Sequence, residues 1–401
     1  MTQLPNDGSG RAPVAIVRPT TSVTSGVAVT QKLVSAAVAF GNLLKGTFGP
    51  NGLDKMLYKT NGETAVTNDG AKIVAELLVK HPAAKAFVQL AESQENACGD
   101  GVTGCIIFAS ELMRESGVLL EKGLHPLVLV NGYLDAMKQT VEILTNNSQS
   151  VSLEDDQTLQ SVATTAMTGT SVESVADILA SLVVSAAQHV ARLDEKTWVV
   201  DTELVRMAKK GTGSISDTNI MKGIIIDKNL DLEKLPRKLD GGKAVVFSCP
   251  LEIEKTSYDA EIEISTTEQW SSFMEAEEEI LNHKAKQIIN SGAKIVFCAE
   301  SIDARIMHKL ADNDICVLAS MEKAGAEDVA LATGALLIDH VDSIDEETLG
   351  EFESLLVETF DSSEGLRDRI YLHVGENSGL ITIDVCGGGG PASEEFVRGI
   401  Y

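Results

Sequence analysis

The sequence predicts a multidomain protein of mixed α+β and α/β class, in which a mainly helical N-terminal part precedes a part of alternating strands and helices. The chain has 401 residues, 44% of them hydrophobic, and is therefore longer than one hydrophobic core usually serves. Apolar residues recur at helical spacing through the first part of the chain. From about residue 214, short β-rich apolar runs alternate with helical stretches, which is typical of an α/β layer.

The composition excludes several classes of partner and site. The formal net charge of −26 argues against nucleic acid and anionic membranes, because both would repel such a surface. The six cysteines show no C-x-x-C spacing and several lie in apolar runs, which indicates a reducing compartment and no structural zinc. No apolar run is expected to reach about 18 residues, and the N-terminus lacks a signal-peptide pattern. We therefore predict a cytoplasmic protein.

The N-terminal region predicts a flexible tail, a long helix and a first glycine-bearing loop. Residues 1–26 are rich in Pro, Gly, Ser and Thr and have little to bury. A helix is predicted from Val27 to about Lys45, followed by the loop Gly46-Thr47-Phe48-Gly49-Pro50-Asn51-Gly52. Glycine after a helix end, followed by proline, is a helix stop signal, so an ordinary C-cap remains an alternative to a binding role for this loop.

A second loop follows a predicted hairpin. The short segments 54–59 and 63–67 are joined through Asn61-Gly62, which is a strong hairpin signal. The hairpin leads to Thr67-Asn68-Asp69-Gly70 at the start of another helix, so a carboxylate lies at a helix N-terminus. Helix capping is the plain alternative to a chemical role for Asp69.

A third loop, Gly99-Asp100-Gly101-Val102-Thr103-Gly104, lies between a helix over 82–97 and a second apolar helix. Its glycines allow a ligand to approach the backbone, and the N–H groups at the start of the following helix point back at the loop. An aspartate beside a phosphate makes sense if a divalent cation lies between the two. Three such loops at helix ends favour a site for a magnesium-bound nucleotide.

The three loops resemble those of a known family. Residues 44–59 (LKGTFGPNGLDKMLYK), 66–76 (VTNDGAKIVAE) and 99–103 (GDGVT) are similar to the N-terminal signature loops of the chaperonins, especially group II chaperonins such as the archaeal thermosome. The resemblance implies ATP and Mg²⁺ as cofactors, Asp100 as the metal ligand, and Asp69 as the catalytic residue that orients or activates the attacking water. The residues that it implies for nucleotide binding are Thr47, Gly49, Pro50, Gly70, Gly101, Val102, Thr103 and Gly104.

The resemblance also implies a domain order. Residues 27–145 are expected to form the N-terminal half of a mainly helical equatorial ATPase domain with a small β-hairpin. Residues 146–213 are expected to begin a mixed α/β intermediate domain, to which residues 371–401 return. Residues 214–370 are expected to form an α/β apical substrate-binding domain, with a helical lid protrusion at about 251–286.

Local patterns predict the elements of these later regions. Segments 198–201 and 203–208 are expected to pair as strands, and residues 270–289 to form a helix. No Lys-Ser/Thr follows the glycines 387–390, so a hinge is favoured there over a phosphate loop. Parallel strands are expected at residues 244–249, 294–298, 315–319 and 335–338.

The sequence departs from the family pattern in several respects. The family's chain continues through second halves of the intermediate and equatorial domains, including a hydrolytic aspartate, so this sequence is expected to be a fragment of a longer subunit or a naturally short relative. Val102 replaces a usual hydroxyl residue, which would remove a hydrogen bond worth about 0.5–1.5 kcal/mol. Asn51 stands where lysine is common. Thr170 stands where many members have a lysine that senses the terminal phosphate.

The leading hypothesis is an ATP-dependent molecular chaperone subunit of a double ring that encloses and folds non-native proteins. Its expected partners are unfolded proteins and identical or paralogous subunits, with no nucleic acid and no membrane. The alternative is a divergent or truncated protein that does not hydrolyse ATP and only binds unfolded clients or assembles with active paralogues. A small-molecule transferase is disfavoured, because no second constellation of acid, base and nucleophile is found in the sequence.

Overall fold

The computed structural model of the chain describes residues 26–58, 62, 64–77, 79, 81–195, 197–253, 266–362, 365–387 and 391–400. The chain folds as two units, Met1–Ser150 and Val151–Tyr401. Of the predicted tail, only Gly26 is among the described residues, and Asn61 of the predicted hairpin turn lies outside them. Residues 388–390 of the predicted hinge also lie outside, so that hinge stays a prediction.

The described part of unit one consists of helices and one β-hairpin. Its strands pair antiparallel, with Lys55 opposite Thr67 and Tyr58 opposite Thr64, as the sequence predicts. Leu44, Ile73 and Ile106 are fully buried in its core. Its elements are α1 (Val27–Leu44), β1 (Lys55–Tyr58), β2 (Thr64–Thr67), α2 (Gly70–Glu76), α3 (Pro82–Cys98), α4 (Val102–Glu121) and α5 (Pro126–Asn147).

Helix α1 corrects one expectation. With the turn after it, the segment Val27–Thr47 is long enough to span a membrane and contains an 18-residue stretch with a mean hydropathy of 1.4, whereas the sequence predicts no apolar run of that length. A core helix of a soluble protein meets the same criterion. Ala37, Phe40 and Leu44 of this helix are buried in the core of unit one, so its apolar side is used in packing.

Helix α5 carries apolar surface that the described part of unit one leaves uncovered. None of its 22 residues is buried. Leu127, Leu134 and Leu144 are 65%, 47% and 63% exposed. Tyr133 anchors the helix, because its hydroxyl donates to the Leu112 carbonyl at 2.9 Å. An amphipathic helix of this length usually buries its apolar side against another element.

In its described residues, unit two holds three sheets, one hairpin and the remaining helices. Its helices are α6 (Asp156–Met167), α7 (Ala176–Val190), α8 (Thr267–Asn290), α9 (Ala304–Ala311), α10 (Glu322–Thr333) and α11 (Pro391–Ile400). Its strands are β3 (Ala191–Asp194), β4 (Thr197–Val200), β5 (Val205–Lys210), β6 (Asn219–Met221), β7 (Gly223–Asp227), β8 (Lys238–Leu239), β9 (Gly242–Phe247), β10 (Ala293–Cys298), β11 (Cys316–Leu318), β12 (Leu337–Ile338), β13 (Gly350–Phe352), β14 (Ser354–Ser362), β15 (Gly365–His373) and β16 (Ile381–Cys386).

The predicted parallel layer is confirmed. Strands run in the order β11-β10-β9-β12, all parallel, and β13 adds antiparallel to β9. Phe247 and Phe297 are fully buried in this sheet. Helices α8 and α9 bury apolar side chains in the same core as β9 and β10, which is how a parallel sheet is covered in α/β proteins.

The other two sheets of unit two have long-range connections. One is antiparallel, in the order β7-β15-β14-β8, and the other has the order β5-β16-β6. The predicted pairing of 198–201 with 203–208 is wrong, because β4 pairs with β3 and β5 pairs in parallel with β16. A 3-10 turn over Thr202–Leu204, capped by the Asp201 side chain, separates β4 from β5 and directs the chain to a different sheet.

The predicted lid segment is described only at its ends. Residues 254–265 lie outside the described part of the chain. At one end, Leu251 is fully buried and bridges to Ile302. At the other, α8 exposes Trp270 and Met274 in its first half and buries Leu281 in its second. Both described ends of the segment are thus anchored in the α/β layer, and the lid stays a prediction.

Candidate functional site

The first loop is closed by its own backbone. Thr47 is 6% exposed, and its hydroxyl donates to the Leu44 carbonyl at 2.8 Å, so this side chain serves the end of α1. The N–H of Gly52 donates to the Gly49 carbonyl at 2.8 Å. Gly49 has φ +85°, and a Cβ on Gly52 would lie 2.3 Å from the Thr47 carbonyl oxygen. The turn therefore requires glycine at both positions.

In the second loop, Asp69 caps helix α2. Its Oδ1 accepts from the N–H of Ala71 at 3.0 Å and its Oδ2 from the N–H of Lys72 at 3.1 Å. The N–H of Asp69 itself donates to the buried Thr67 hydroxyl at 3.1 Å. The carboxylate is thus held at the positive end of the helix. Each carboxylate oxygen has more than one lone pair, so capping leaves Asp69 able to accept from a water molecule as well.

The third loop reverses the chain between α3 and α4. Gly99, at φ +65°, caps α3, and Gly101, at φ +81°, precedes α4. Helix α4 begins at Val102, so the predicted phosphate-binding residues after Gly101 form its first turn rather than a loop. Among the described residues no side chain caps α4 and its first turn has no acid. Its N–H groups are therefore available to an anion.

The burial and hydrogen bonding of Val102 and Asp100 indicate different roles for their side chains. Val102 is 3% exposed and packs in the core of unit one, so only its backbone can serve the site. Asp100 is exposed, and its Oδ1 accepts from the N–H of Gly101 at 2.5 Å. Its carbonyl accepts from the amide Nε2 of Gln94 at 2.9 Å, which fixes the backbone that carries the carboxylate.

The structure brings the three loops together at the start of α4. A Cβ on Gly70 would lie 2.3 Å from the Thr103 hydroxyl oxygen and 3.0 Å from its backbone nitrogen. A Cβ on Gly104 would lie 3.3 Å from Cε2 of Phe48. The second loop therefore touches the third at Gly70 and Thr103, and the first touches the third at Phe48 and Gly104.

Two residues at the site were not predicted from the sequence. Phe48 is 58% exposed and lies against Gly104. Gln94 holds the third loop through the Asp100 carbonyl. The signal for Phe48 is an aromatic residue inside a glycine-rich loop, where no core requires it. The signal for Gln94 is weaker, a polar residue one helical turn before the end of α3.

The charges near the loops suit an anionic ligand that binds together with a metal cation. The ammonium of Lys45 lies 2.6 Å from Glu111, and that of Lys72 lies 2.6 Å from Glu76. The hydrogen bond from Lys45 is the main reason that the pKa of Glu111 is lowered. Across the residues that the structure describes, no three His, Cys, Asp or Glu side chains are grouped to hold a metal. A single carboxylate completed by phosphate oxygens and water fits Mg²⁺, which needs few protein ligands.

Thr170, which stands where members of the resembled family often have a phosphate-sensing lysine, belongs to unit two. Its hydroxyl donates to the Met167 carbonyl at 2.7 Å, at the end of α6. It therefore serves the local turn, and the expected loss of a phosphate-sensing cation at this position stays a prediction.

Comparison with known proteins gives consistent matches. The profile of the TCP-1/cpn60 chaperonin family matches residues 40–401. The thermosome subunit of Methanopyrus kandleri is 38% identical over 320 residues, which are 80% of this chain and 59% of that protein. Thermosome subunit beta of Archaeoglobus fulgidus is 34% identical over 388 residues, 97% of this chain and 70% of that one. Thermosome subunit beta of Thermococcus kodakarensis is 34% identical over 367 residues, 92% and 66% respectively. The chain thus spans 59–70% of the length of these relatives.

Proposed function

The chain belongs to the TCP-1/cpn60 chaperonin family, in the group II branch of the thermosome subunits, and from that premise we propose that it acts as an ATP-dependent molecular chaperone subunit. In the proposed assembly, identical or paralogous subunits form a double ring in the cytoplasm. Binding and hydrolysis of Mg-ATP change the shape of the subunit, and the ring encloses and folds non-native proteins.

The observation that carries the proposal is the meeting of the three loops at the uncapped start of α4. In the proposed site, Thr47, Gly49, Pro50 and Gly70 contact the nucleotide, and the backbone from Gly101 to Gly104 cradles its phosphates, which the N–H groups of Val102, Thr103 and Gly104 bind. Asp100 holds Mg²⁺, which neutralises phosphate charge when bound. Asp69, fixed by its two capping hydrogen bonds, orients or activates the attacking water.

The proposed domains follow the same family pattern. Residues 27–145 would be the first half of an equatorial domain, 146–213 and 371–401 parts of an intermediate domain, and 214–370 an apical domain. The division into units after Ser150 and the parallel α/β layer within residues 242–338 support this assignment. The exposed apolar residues of α5 support it too, since a second equatorial half would bury them.

The apical part supplies the proposed surface for unfolded proteins. On α8, Trp270, Phe273 and Met274 are 58%, 39% and 41% exposed. Apolar side chains exposed beside acidic ones suit a surface that binds unfolded chains without specific sequence. The same helix anchors itself through Leu281 and Ile288, which are fully buried.

A second candidate is a chaperonin-like protein that holds unfolded clients without hydrolysing ATP. Val102 favours it, because its buried side chain offers no hydroxyl to a phosphate. Two measurements on the 401-residue chain separate the candidates. One is the rate of phosphate release from ATP with and without Mg²⁺, and the other is suppression of aggregation of a chemically unfolded client.

Magnesium-dependent ATP hydrolysis together with suppression of aggregation supports the proposal. Suppression without ATP hydrolysis supports the second candidate. ATP hydrolysis without any suppression contradicts the chaperone role for both, because the apical surface would then have no client.

A further inference from the structure

Arg369, on β15, is a charged side chain buried at the junction of two sheets. It is 2% exposed, and so is its partner Asp384 on β16. Its Nη2 donates to Asp384 and its Nη1 to the Lys209 carbonyl at 2.8 Å. An ion pair this deeply buried stabilises a fold only when every donor is satisfied, because desolvation of the two charges is costly.

One donor of Arg369 is not satisfied. Within the described part of the chain its Nε has no hydrogen-bond partner, although it is buried. The Oδ1 of Asp227 lies 3.6 Å from this Nε, beyond hydrogen-bond distance but within an ion pair. Asp227 stands directly opposite Arg369 on the neighbouring strand β7, and its side chain is 46% exposed. The guanidinium thus lies near two carboxylates and donates a hydrogen bond to only one of them, Asp384.

The two carboxylates belong to different sheets. Asp227 shares the four-stranded sheet with Arg369, whereas Asp384 lies in the three-stranded sheet β5-β16-β6. The chain passes between these sheets at Lys222, and again over residues 374–380. The N–H groups of Val374 and Gly375 both donate to the Lys222 carbonyl, at 2.9 and 3.2 Å. The two crossings therefore lie side by side, as the two strands of a hinge do.

The glycines at these crossings cannot be replaced without strain. Gly223 has φ +142°, and a Cβ there would lie 2.0 Å from the Leu372 carbonyl oxygen. Gly375 has φ +85°, and a Cβ there would lie 2.2 Å from Oε1 of Glu353. A backbone change at either crossing is open to glycine and costly for other residues.

The groups around the pair leave Asp384 poorly stabilised. Burial raises the pKa of Asp384, and Arg369 and Lys210 lower it without overcoming the burial. Lys210 also donates to the Tyr371 hydroxyl at 3.3 Å, and the Tyr371 ring lies 5.8 Å from the Arg369 guanidinium carbon. Asp227 and Glu358 add negative charge. A carboxylate that is half exposed, such as Asp227, pays a smaller desolvation cost than Asp384.

We propose that Arg369 is a latch with two positions. In this structure it bonds Asp384, and after the three-stranded sheet turns about the crossings at Lys222 and Gly375 it bonds Asp227 instead. One carboxylate is always within reach, so the buried guanidinium is never left without a counter-charge during the turn. Packed elements with two alternative contacts are the usual basis of a switch between two conformations.

The first test compares thermal unfolding of five variants of the whole chain, one of which carries Asp227→Asn alone so that additivity can be judged. If Asp227 binds Arg369 when the Asp384 carboxylate is removed, Asp384→Asn lowers the unfolding temperature much less than Arg369→Met does. The double variant Asp384→Asn with Asp227→Asn then lowers the unfolding temperature as far as Arg369→Met. Asp240→Asn, at an exposed carboxylate, is the control and leaves the temperature unchanged. The proposal is overturned if Asp384→Asn alone matches Arg369→Met, or if the two Asn substitutions simply add.

The second test needs only Asp227→Asn, a change at a side chain that is 46% exposed. Without the Asp227 carboxylate, Arg369 keeps only the observed position, in which it bonds Asp384. Hydrogen exchange of the β16 amides Thr382 to Asp384 is then expected to slow several-fold relative to the unsubstituted chain. Unchanged or faster exchange overturns the latch.

Discussion

Gly70 and Thr103 lie in direct contact, so closely that a Cβ on Gly70 would come 2.3 Å from the Thr103 hydroxyl oxygen. The contact joins the start of α2 to the start of α4. It places the residue after Asp69 against the helix turn that follows Asp100. The two aspartates proposed for chemistry and for metal binding are thus carried by backbones that touch.

Gly70→Ala tests whether this contact assembles the site. The added methyl group would also lie 3.0 Å from the Thr103 backbone nitrogen, so the two helix starts must separate. We expect the variant to lose about 1–3 kcal/mol of unfolding free energy, measured by urea denaturation, together with Mg-ATP binding.

Gly132→Ala is the matched control, because Gly132 lies in helix α5 with nothing within 4 Å of its would-be Cβ. We expect that variant to keep ATP binding and to gain up to about 1 kcal/mol from helix propensity. Normal ATP affinity in Gly70→Ala would show that the contact does not organise the site.

Asp100→Ala tests the metal assignment. Asp100 is exposed and its carboxylate bonds only the neighbouring Gly101 N–H in the described structure, so we expect the fold to survive the change. ATP affinity in the presence of Mg²⁺ should fall to its value without Mg²⁺, as calorimetry would show. Asp135→Ala, an exposed carboxylate on α5, should leave both affinities unchanged. Unaltered affinity for Mg-ATP in Asp100→Ala would refute the assignment.

Asp69 needs a substitution that separates capping from chemistry. Asp69→Ala removes two hydrogen bonds to the start of α2 and should cost about 0.5–2 kcal/mol of unfolding free energy. Asp69→Asn keeps one side-chain oxygen, and with it one of the two capping hydrogen bonds, and removes the charge. We expect Asp69→Asn to lose less stability than Asp69→Ala, to retain ATP binding and to slow phosphate release at saturating Mg-ATP. Release at the unsubstituted rate would remove Asp69 from the chemistry.

Local patterns predicted most elements of the fold, because local forces form them. Helix α1 follows from apolar periodicity, the β1-β2 hairpin from Asn61-Gly62, and α2 from the Asp69 cap. The partner of β5 could not be predicted in this way. Val205 pairs with Ile381 through tertiary packing, and the turn after Asp201 looks locally like a hairpin turn.

The candidate site likewise has features that the sequence predicts and features that depend on tertiary packing. Each loop is visible in the sequence, since glycine and aspartate mark turns and helix ends. The contact of Gly70 with Thr103 is not visible, because it depends on how α2 packs against α4. Likewise, Asp384 is an isolated charge in an apolar run and Arg369 follows two other charged residues, and only the packing of two sheets shows that they are paired.

Asp368 is expected to govern part of the acid sensitivity of unit two. It is 7% exposed and accepts from the Thr359 hydroxyl at 2.6 Å, from Arg237 at 3.0 Å and from the Leu230 N–H at 3.1 Å. Burial opposes its ionisation, but the hydrogen bonds from Thr359 and Arg237 outweigh burial and lower the pKa of Asp368 from 3.8. Because the pKa is lower in the folded state, ionised Asp368 stabilises the fold above about pH 4, and this contribution is lost as the pH falls through the folded pKa.

Asp368→Asn should therefore lower the unfolding free energy at pH 7 by about 1–3 kcal/mol, since it weakens hydrogen bonds to a buried group. The difference from the unsubstituted chain should shrink between about pH 4 and pH 2, as urea denaturation at a series of pH values would show. Asp384, whose pKa is raised, acts in the opposite direction in both proteins and cancels in the comparison. Asp240→Asn, at a side chain that is 86% exposed, should keep the pH profile of the unsubstituted chain. A difference that stays constant down to pH 2 would mean that Asp368 acts through packing rather than through its charge.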